Sequence, residues 1–312
     1  ALVFNNLFLT AACSSVFVGT LYPLALEALT GEKISVGAPF FNLTFGPLFV
    51  PLLMAVPFGP LLAWKRGDLL GAAQRLTGAM ALAIMAIAAA FAITGGGPVL
   101  APFGLGLAVF VMAGALTDLV ERTGLLRLPL ATALGRARGL PRSAFGTATA
   151  HFGLGVALIG IVCVSTWGAE RIVALKPAAQ VSLRSYDLTF DGLVTRQGPN
   201  YRELVAHFTV RQAGAVIGTM EPSKRTFPSR QSSTTEAALL TRGASQLYLS
   251  LGEANADGSI ALRLYHKPLV LLIWLGAVVM AIGGALSLSD RRLRIGAPRP
   301  AAPAKAAIQP AE

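Results

Sequence analysis

Long runs without a formal charge constrain this chain more than any other feature: among them, residues 34–64, 76–117, 143–169 and 268–289 contain no Lys, Arg, Asp or Glu. A run of about 20 apolar residues crosses a hydrocarbon core as one helix, and a water-soluble domain does not carry several of them. Composition agrees, with 54% of the 312 residues hydrophobic and only 13% charged. Hydropathy puts spans at about 6–26, 46–64, 76–94, 98–117, 147–167 and 268–288. The expected fold class is therefore a polytopic α-helical membrane protein of about six transmembrane helices. The net charge of +11 is assigned to loop cations beside the spans, not to nucleic acid.

Those cations fix an orientation. Lys65, Arg66 and Arg75 lie between the second and third spans, Arg122, Arg127, Arg136, Arg138 and Arg142 between the fourth and fifth, and Arg291, Arg292 and Arg294 follow the sixth. The positive-inside rule makes these segments cytoplasmic. The loop around 28–45, the turn Gly95-Gly96-Gly97-Pro98 and the long insertion 168–267 then face the other side. The chain opens at Ala1, close to a span and without a signal-peptide pattern, and is read as a piece of a longer protein.

The insertion alone reads as water-soluble. Short alternating runs such as Tyr186-Asp187-Leu188-Thr189-Phe190, Phe208-Thr209-Val210 and Ile260-Ala261-Leu262-Arg263-Leu264 predict a small antiparallel β domain inserted before the last helix. Asp191-Gly192 and Asp257-Gly258 are its turn signals. The expected organisation is 1–167 for five transmembrane helices with short loops, 168–267 for the β domain, 268–294 for the last helix and its basic stop, and 295–312 for a disordered Pro/Ala-rich tail.

Chemistry-bearing residues are few. The sequence has no H-x-x-x-H, Walker-type glycine loop or G-x-S-x-G. Cys13 and Cys163, both inside apolar stretches, are expected to be small buried hydrophobes. Asp118 and Glu121, followed by Arg122, read as a solvated charge cluster at a helix end. Of three histidines, His207 belongs to a strand face and His266 to an anchoring Tyr265-His266-Lys267 step at the membrane surface. His151 lies in the fifth span, about one turn in, where an imidazole is costly without a partner. It is either a helix-packing histidine or a ligand; Gly155, four residues on and on the same face, would let a flat cofactor such as haem approach the backbone.

Several ordered motifs resemble the C-terminal half of the CcmF family of cytochrome c-type biogenesis proteins. They are Asn5-Asn6-Leu7-Phe8-Leu9, Gly19-Thr20-Leu21-Tyr22-Pro23-Leu24, Lys33-Ile34-Ser35-Val36-Gly37, Phe41-Asn42 and Gly198-Pro199-Asn200-Tyr201. Further along come Pro222 with Lys224-Arg225, Thr235-Glu236-Ala237-Ala238, Leu251-Gly252-Glu253, Arg263, Lys267-Pro268 and Gly283-Gly284 before Asp290-Arg291-Arg292. The resemblance runs over about 5–294. Departures are Ala38 and Phe40 where the family has Pro and Tyr, Phe227 where Tyr is usual, and Gln246 where Asp is expected.

The resemblance implies a subunit of a haem lyase in the bacterial inner membrane, with its β domain in the periplasm, inactive as this piece alone. It implies transfer of haem from the chaperone CcmE to the thiols of apocytochrome c, with CcmH and CcmI presenting the apoprotein. It further implies a membrane haem b with His151 as one axial ligand of the iron and Gly155 beside it. The second ligand, the tryptophan-rich segment and two further haem-binding histidines belong to the family's N-terminal half, absent here. No residue is expected to be catalytic in its own right. Two other readings stay open: a multi-pass small-molecule transporter, and a membrane scaffold whose β domain docks partner proteins.

Overall fold

In the computed structural model the chain is described over residues 2–62, 67–95, 97–229, 232–255 and 259–290. Lys65, Arg66, Gly96, Asp257-Gly258, Arg291, Arg292, Arg294 and the 295–312 tail lie outside the described residues. The helices are α1 (Leu2–Thr30), α2 (Ala38–Ala55), α3 (Leu69–Arg75), α4 (Thr77–Thr94), α5 (Leu100–Thr123), α6 (Leu130–Gly139), α7 (Arg142–Trp167) and α8 (Leu271–Leu288). Among the described residues six are long and apolar enough to cross a membrane: α1, α2 with the 3-10 turn that extends it to Leu61, α4, α5, α7 and α8.

The fold is thus a polytopic helical membrane protein with a β domain inserted before its last helix. Some boundaries differ from those that hydropathy gives. The second span starts at Ala38, not near 46, because Pro39 in the first turn costs no helical hydrogen bond and presets φ. The loop read as 28–45 shrinks to 31–37. Two short helices, α3 and α6, occupy the basic connections; α3 is capped by Asp68, whose carboxylate accepts from Gly71 N at 2.9 Å. Cys163 is buried as expected, but Cys13 is exposed on α1.

The core of the bundle is the antiparallel pair α7 and α8. Gly146, Gly153 and Gly160 recur every seven residues on α7, and Gly276 and Gly283 on α8. A methyl group on Gly283 would stand 2.4 Å from Ala150 N and 2.6 Å from Gly146 O. On Gly153 it would stand 2.8 Å from Gly276 O, and on Gly160 2.8 Å from Ile273 N. Backbones meet here with no side chain between them, which is how helices associate where burial of apolar surface offers no drive. At one end Asp290, 6% exposed, accepts a hydrogen bond from Ser143 N at 3.1 Å and so caps α7 from beyond α8.

At the other end the pair runs straight into paired strands. β1 (Ala169–Leu175) follows α7 after Gly168, and β10 (Ile260–Lys267) precedes α8; they pair from Ala169–His266 to Leu175–Ile260. Between them come β2 (Gln180–Leu183), β3 (Tyr186–Gln197), β4 (Arg202–Gln212), β5 (Ala215–Met220), β6 (Ser223–Phe227), β7 (Ser232–Glu236), β8 (Ala238–Arg242) and β9 (Ser245–Ala254). They form a sheet β1-β10-β9-β8 and a second sheet β2-β3-β4-β6-β7, with β5 also on β4. Alternate residues of each, among them Leu188, Phe190, Phe208, Leu249, Leu262 and Leu264, are fully buried between the sheets.

Asp191-Gly192, read from sequence as a turn, lies inside β3 as a bulge: the register skips between Phe190–Phe208 and Gly192–His207, and Gly192 takes φ +142°. Asp191 accepts from Thr209 Oγ1 at 2.8 Å. Two-residue turns fall instead at Arg184-Ser185, Ala213-Gly214 and Gly243-Ala244, joining β2 to β3, β4 to β5 and β8 to β9, with positive φ at Arg184, Ala213, Gly214 and Gly243.

The adjacent glycines Gly283 and Gly284 provide a test of the α7–α8 contact. Gly283→Ala is expected to destabilise the chain in detergent by about 1–3 kcal/mol, since the neighbouring atoms are backbone and cannot give way. Gly284→Ala, which meets nothing within 4 Å, should stay within about 0.5 kcal/mol. Thermal or denaturant unfolding of the two variants side by side decides this.

Candidate functional site

His151 sits on α7 about 13 Å, or two and a half turns, from the helix start. It lies farther from the helix start than from the start of the expected span, because α7 begins at Arg142, before the apolar stretch. The ring is half-buried, and among the described residues no hydrogen bond or ion pair holds it. It lies on the side of α7 opposite the glycines that meet α8.

That side meets α5. A methyl on Gly155 would stand 2.3 Å from Met112 Cγ and 2.8 Å from Ala108 O, and one on Gly104 would stand 2.8 Å from Val162 Cγ2. The space beside Gly155, read from sequence as an approach for a flat ligand, is filled by α5. The facing stripe of α5 is Ala108, Val111, Ala115 and Asp118, all buried. Asp118 is only 5% exposed, so it is no solvated helix-end charge. Its Oδ1 accepts from Arg122 Nε at 2.8 Å, and its charge reaches His151. Glu121 pairs outward with Arg127 at 3.2 Å.

The remaining histidines stand elsewhere. His207 on β4 has Nδ1 3.1 Å from Glu221 Oε1, which makes it a strand-face residue in a polar pair. Arg196 shares the same carboxylate at 3.0 Å. His266 lies at the joint between β10 and the membrane helices, its ring 5.7 Å from Tyr186, with a buried Nδ1 that finds no hydrogen-bond partner among the described residues. It pairs across the ladder with Ala169, 18 residues beyond His151 and about 27 Å along the α7 axis. The two rings cannot grip one iron. Among the described residues no group of three or more His, Cys, Asp or Glu could hold a bare metal ion. A cavity of about 580 Å³ between α4, α5 and α7, lined by Ile93, Thr94, Leu105, Ile159 and Trp167, opens at the β-domain end, away from His151.

This donor set fits one axial bond of a haem iron and no more: a single imidazole nitrogen, unpartnered, in an apolar span. Neither the burial of Asp118 nor the partners of the glycines follow from the sequence. The seven-residue glycine spacing was in the sequence; the burial of Asp118 was not, since Arg122 next to it suggests solvent as readily as a buried pair.

Comparison with known proteins follows the same lines. A family profile described as the CcmF C-terminal beta-sandwich matches residues 166–268. The cytochrome c-type biogenesis protein CycK of Bradyrhizobium diazoefficiens is 66% identical over 100% of this chain and 47% of its own length. CcmF of Pseudomonas aeruginosa is 37% identical over 94% of the chain and 44% of its length. The solved structure of a cytochrome c haem lyase CcmF superposes with a TM-score of 0.68 at 24% identity, over 92% of this chain and 45% of that one, and so supports the fold. The chain spans about half the length of the curated relatives it matches.

The orphaned His266 nitrogen has a measurable consequence. Burial first, and then the Arg184 charge, lower the His266 pKa below its ordinary 6.5. As pH falls below about 6.5 the unfolded chain takes up the proton before the folded one, so stability falls with acidification. His266→Phe keeps the ring and removes both the orphan and the proton site. It should leave stability at pH 7.5 unchanged or raise it by about 1 kcal/mol, and it should flatten the loss that sets in below about pH 6.5. Unfolding curves at several pH values read both.

Proposed function

The chain belongs to the CcmF family of cytochrome c-type biogenesis proteins, whose C-terminal section it matches, and on that footing we propose that it forms the C-terminal, haem-holding part of a cytochrome c maturation complex. The observation that carries this reading is the His151 imidazole, half-buried in a charge-free span with no hydrogen-bond partner among the described residues. Such a ring is costly in hydrocarbon unless something binds it, and a neutral imidazole nitrogen is a donor suited to haem iron.

In this reading the His151 imidazole would be one ligand to the iron of a b-type haem, and a second imidazole would come from the section of the relatives that this chain does not cover. Bound haem supplies a one-electron couple whose potential follows its axial ligands and the dryness of its surroundings. Gly155 contributes by letting α5 close on α7, which fixes the height of His151 against the neighbouring helix. Asp118, tied to Arg122, adds a buried negative charge within reach of the imidazole. Arg75, Arg122, Arg136 and Arg142 all lie at helix ends away from the β domain. By the positive-inside rule that end is cytoplasmic, and the β domain is periplasmic in a bacterial inner membrane. There it meets CcmE as haem donor, and apocytochrome c presented by CcmH and CcmI.

The test is an absorption spectrum of the chain reunited with the section it lacks. The assembly should give a six-coordinate low-spin haem, and His151→Ala should lower haem retention at least tenfold or leave a five-coordinate, high-spin spectrum. This chain alone should bind haem poorly. A low-spin spectrum from this chain alone that survives His151→Ala would refute the assignment, and substrate flux into vesicles that survives the same substitution would favour the transporter reading.

A further inference from the structure

The β domain carries its charges unevenly, and the excess of cations lies at the end that meets the membrane helices. Three hairpin turns stand there. In the β8–β9 turn Ala244 O and Ser245 Oγ accept from Leu271 N and Leu269 N, each at 3.1 Å. In the β2–β3 turn Arg184 Nη2 donates to Trp167 O at 3.4 Å. Ser185 Oγ accepts from Gln212 Nε2 at 3.1 Å, which brings the β4–β5 turn alongside. These contacts fix the turns at the level where α7 and α8 leave the hydrocarbon.

Within five residues of the strand ends at this joint stand six cations, Arg171, Arg184, Arg211, Arg242, Arg263 and Lys267, and two carboxylates, Glu170 and Asp187. Glu170 is taken by Arg263 at 2.7 Å, and Asp187 accepts from Ser182 Oγ at 2.6 Å. The other five cations have no ion pair among the described residues. At the far end of the domain Arg196 pairs with Glu221, Lys224 with Glu253, and Arg225 with Glu203 and Glu236, while Arg202 donates to the Gln197 amide. An exposed cation needs no partner in water, so it is the change with height, not any one unpaired group, that points to an anionic layer at the joint.

The placement selects that layer. Arg184 belongs to one sheet, Arg242 and Lys267 to the other, so the cations surround the joint. A headgroup layer meets such a collar from every side, whereas a docked protein covers one. The Lys267 ammonium lies over the Tyr248 and Tyr265 rings at 4.7 and 5.5 Å, and Trp167 closes α7; Tyr, Trp and Lys are the side chains that headgroups accommodate. Trp167, whose carbonyl Arg184 holds, also lines the apolar cavity of about 580 Å³ between α4, α5 and α7. We propose that this collar binds the phosphates of anionic phospholipids, with one acyl chain seated in that cavity and its phosphate beside Arg184.

The experiment reconstitutes the full chain in phosphatidylcholine vesicles, with Trp64→Phe and Trp274→Phe leaving Trp167 as its sole tryptophan. Phosphatidylglycerol or phosphatidylcholine, each brominated on its acyl chains, then quenches Trp167 fluorescence. Quenching should show a preference of about threefold or more for phosphatidylglycerol at low salt, and about 0.5 M NaCl should abolish it. Arg184→Gln with Arg242→Gln and Lys267→Gln should abolish it at low salt too, while Arg196→Gln with Arg202→Gln, at the far end, leaves it unchanged. Equal quenching by the two lipids, or a preference that survives salt or the triple variant, would overturn the proposal. Loss of the preference on co-expression with the unmatched section of the Bradyrhizobium relative would overturn it in favour of a collar covered by protein.

Discussion

The structure depends on the direct approach of two helix backbones. Along α7 and α8 five glycines at seven-residue intervals remove the side chains that would otherwise hold the helices apart. In a lipid environment apolar side chains gain little by leaving lipid for protein, so helix association rests on dispersion and on close backbone contact. Five missing side chains therefore do what a hydrophobic core does elsewhere. The insertion of a whole β domain between these two helices is tolerable because both its ends leave and re-enter the bundle at one closed point.

That arrangement also decides what α7 offers its other neighbours. With one side committed to α8, the opposite side meets α5 through Gly155 and carries His151 at its edge. Buried Asp118, paired with the partly exposed Arg122, belongs to the same contact. A carboxylate at this depth is retained only with a partner, and Arg122, four residues on, supplies one while its long stem lets the guanidinium reach the helix end. Helix packing and the electrostatic setting of the imidazole are thus fixed by the same few residues.

How much of this could be read in advance varies with the kind of signal. Charge-free runs gave the spans and alternation gave the β domain, because both are consequences of burial, which hydropathy reports directly. Helix starts at Ala38 and Arg142 lie outside the apolar windows, since a helix runs on past the hydrophobic stretch it contains and Pro39 suits a first turn. Asp191-Gly192 looks like a hairpin turn in one dimension; only pairing with β4 makes it a bulge. Asp118 and Cys13 exchanged their expected environments because burial within a bundle depends on which helix lies opposite, and a single sequence does not say. His151 stood out for cost alone, and its neighbours on α5 could not be named without the fold.

One residue, Gly168, joins α7 to β1, and a methyl there would stand 2.4 Å from Val164 O. So short a joint has no room to act as a swivel. The strand ladder from Ala169 to Leu175 continues the helical hairpin without slack, and on the far side of the membrane Asp290 ties the same hairpin shut. The consequence is one of folding order: the two ends of the β domain are held side by side by the β1–β10 ladder, so closing that ladder already brings the ends of α7 and α8 into register.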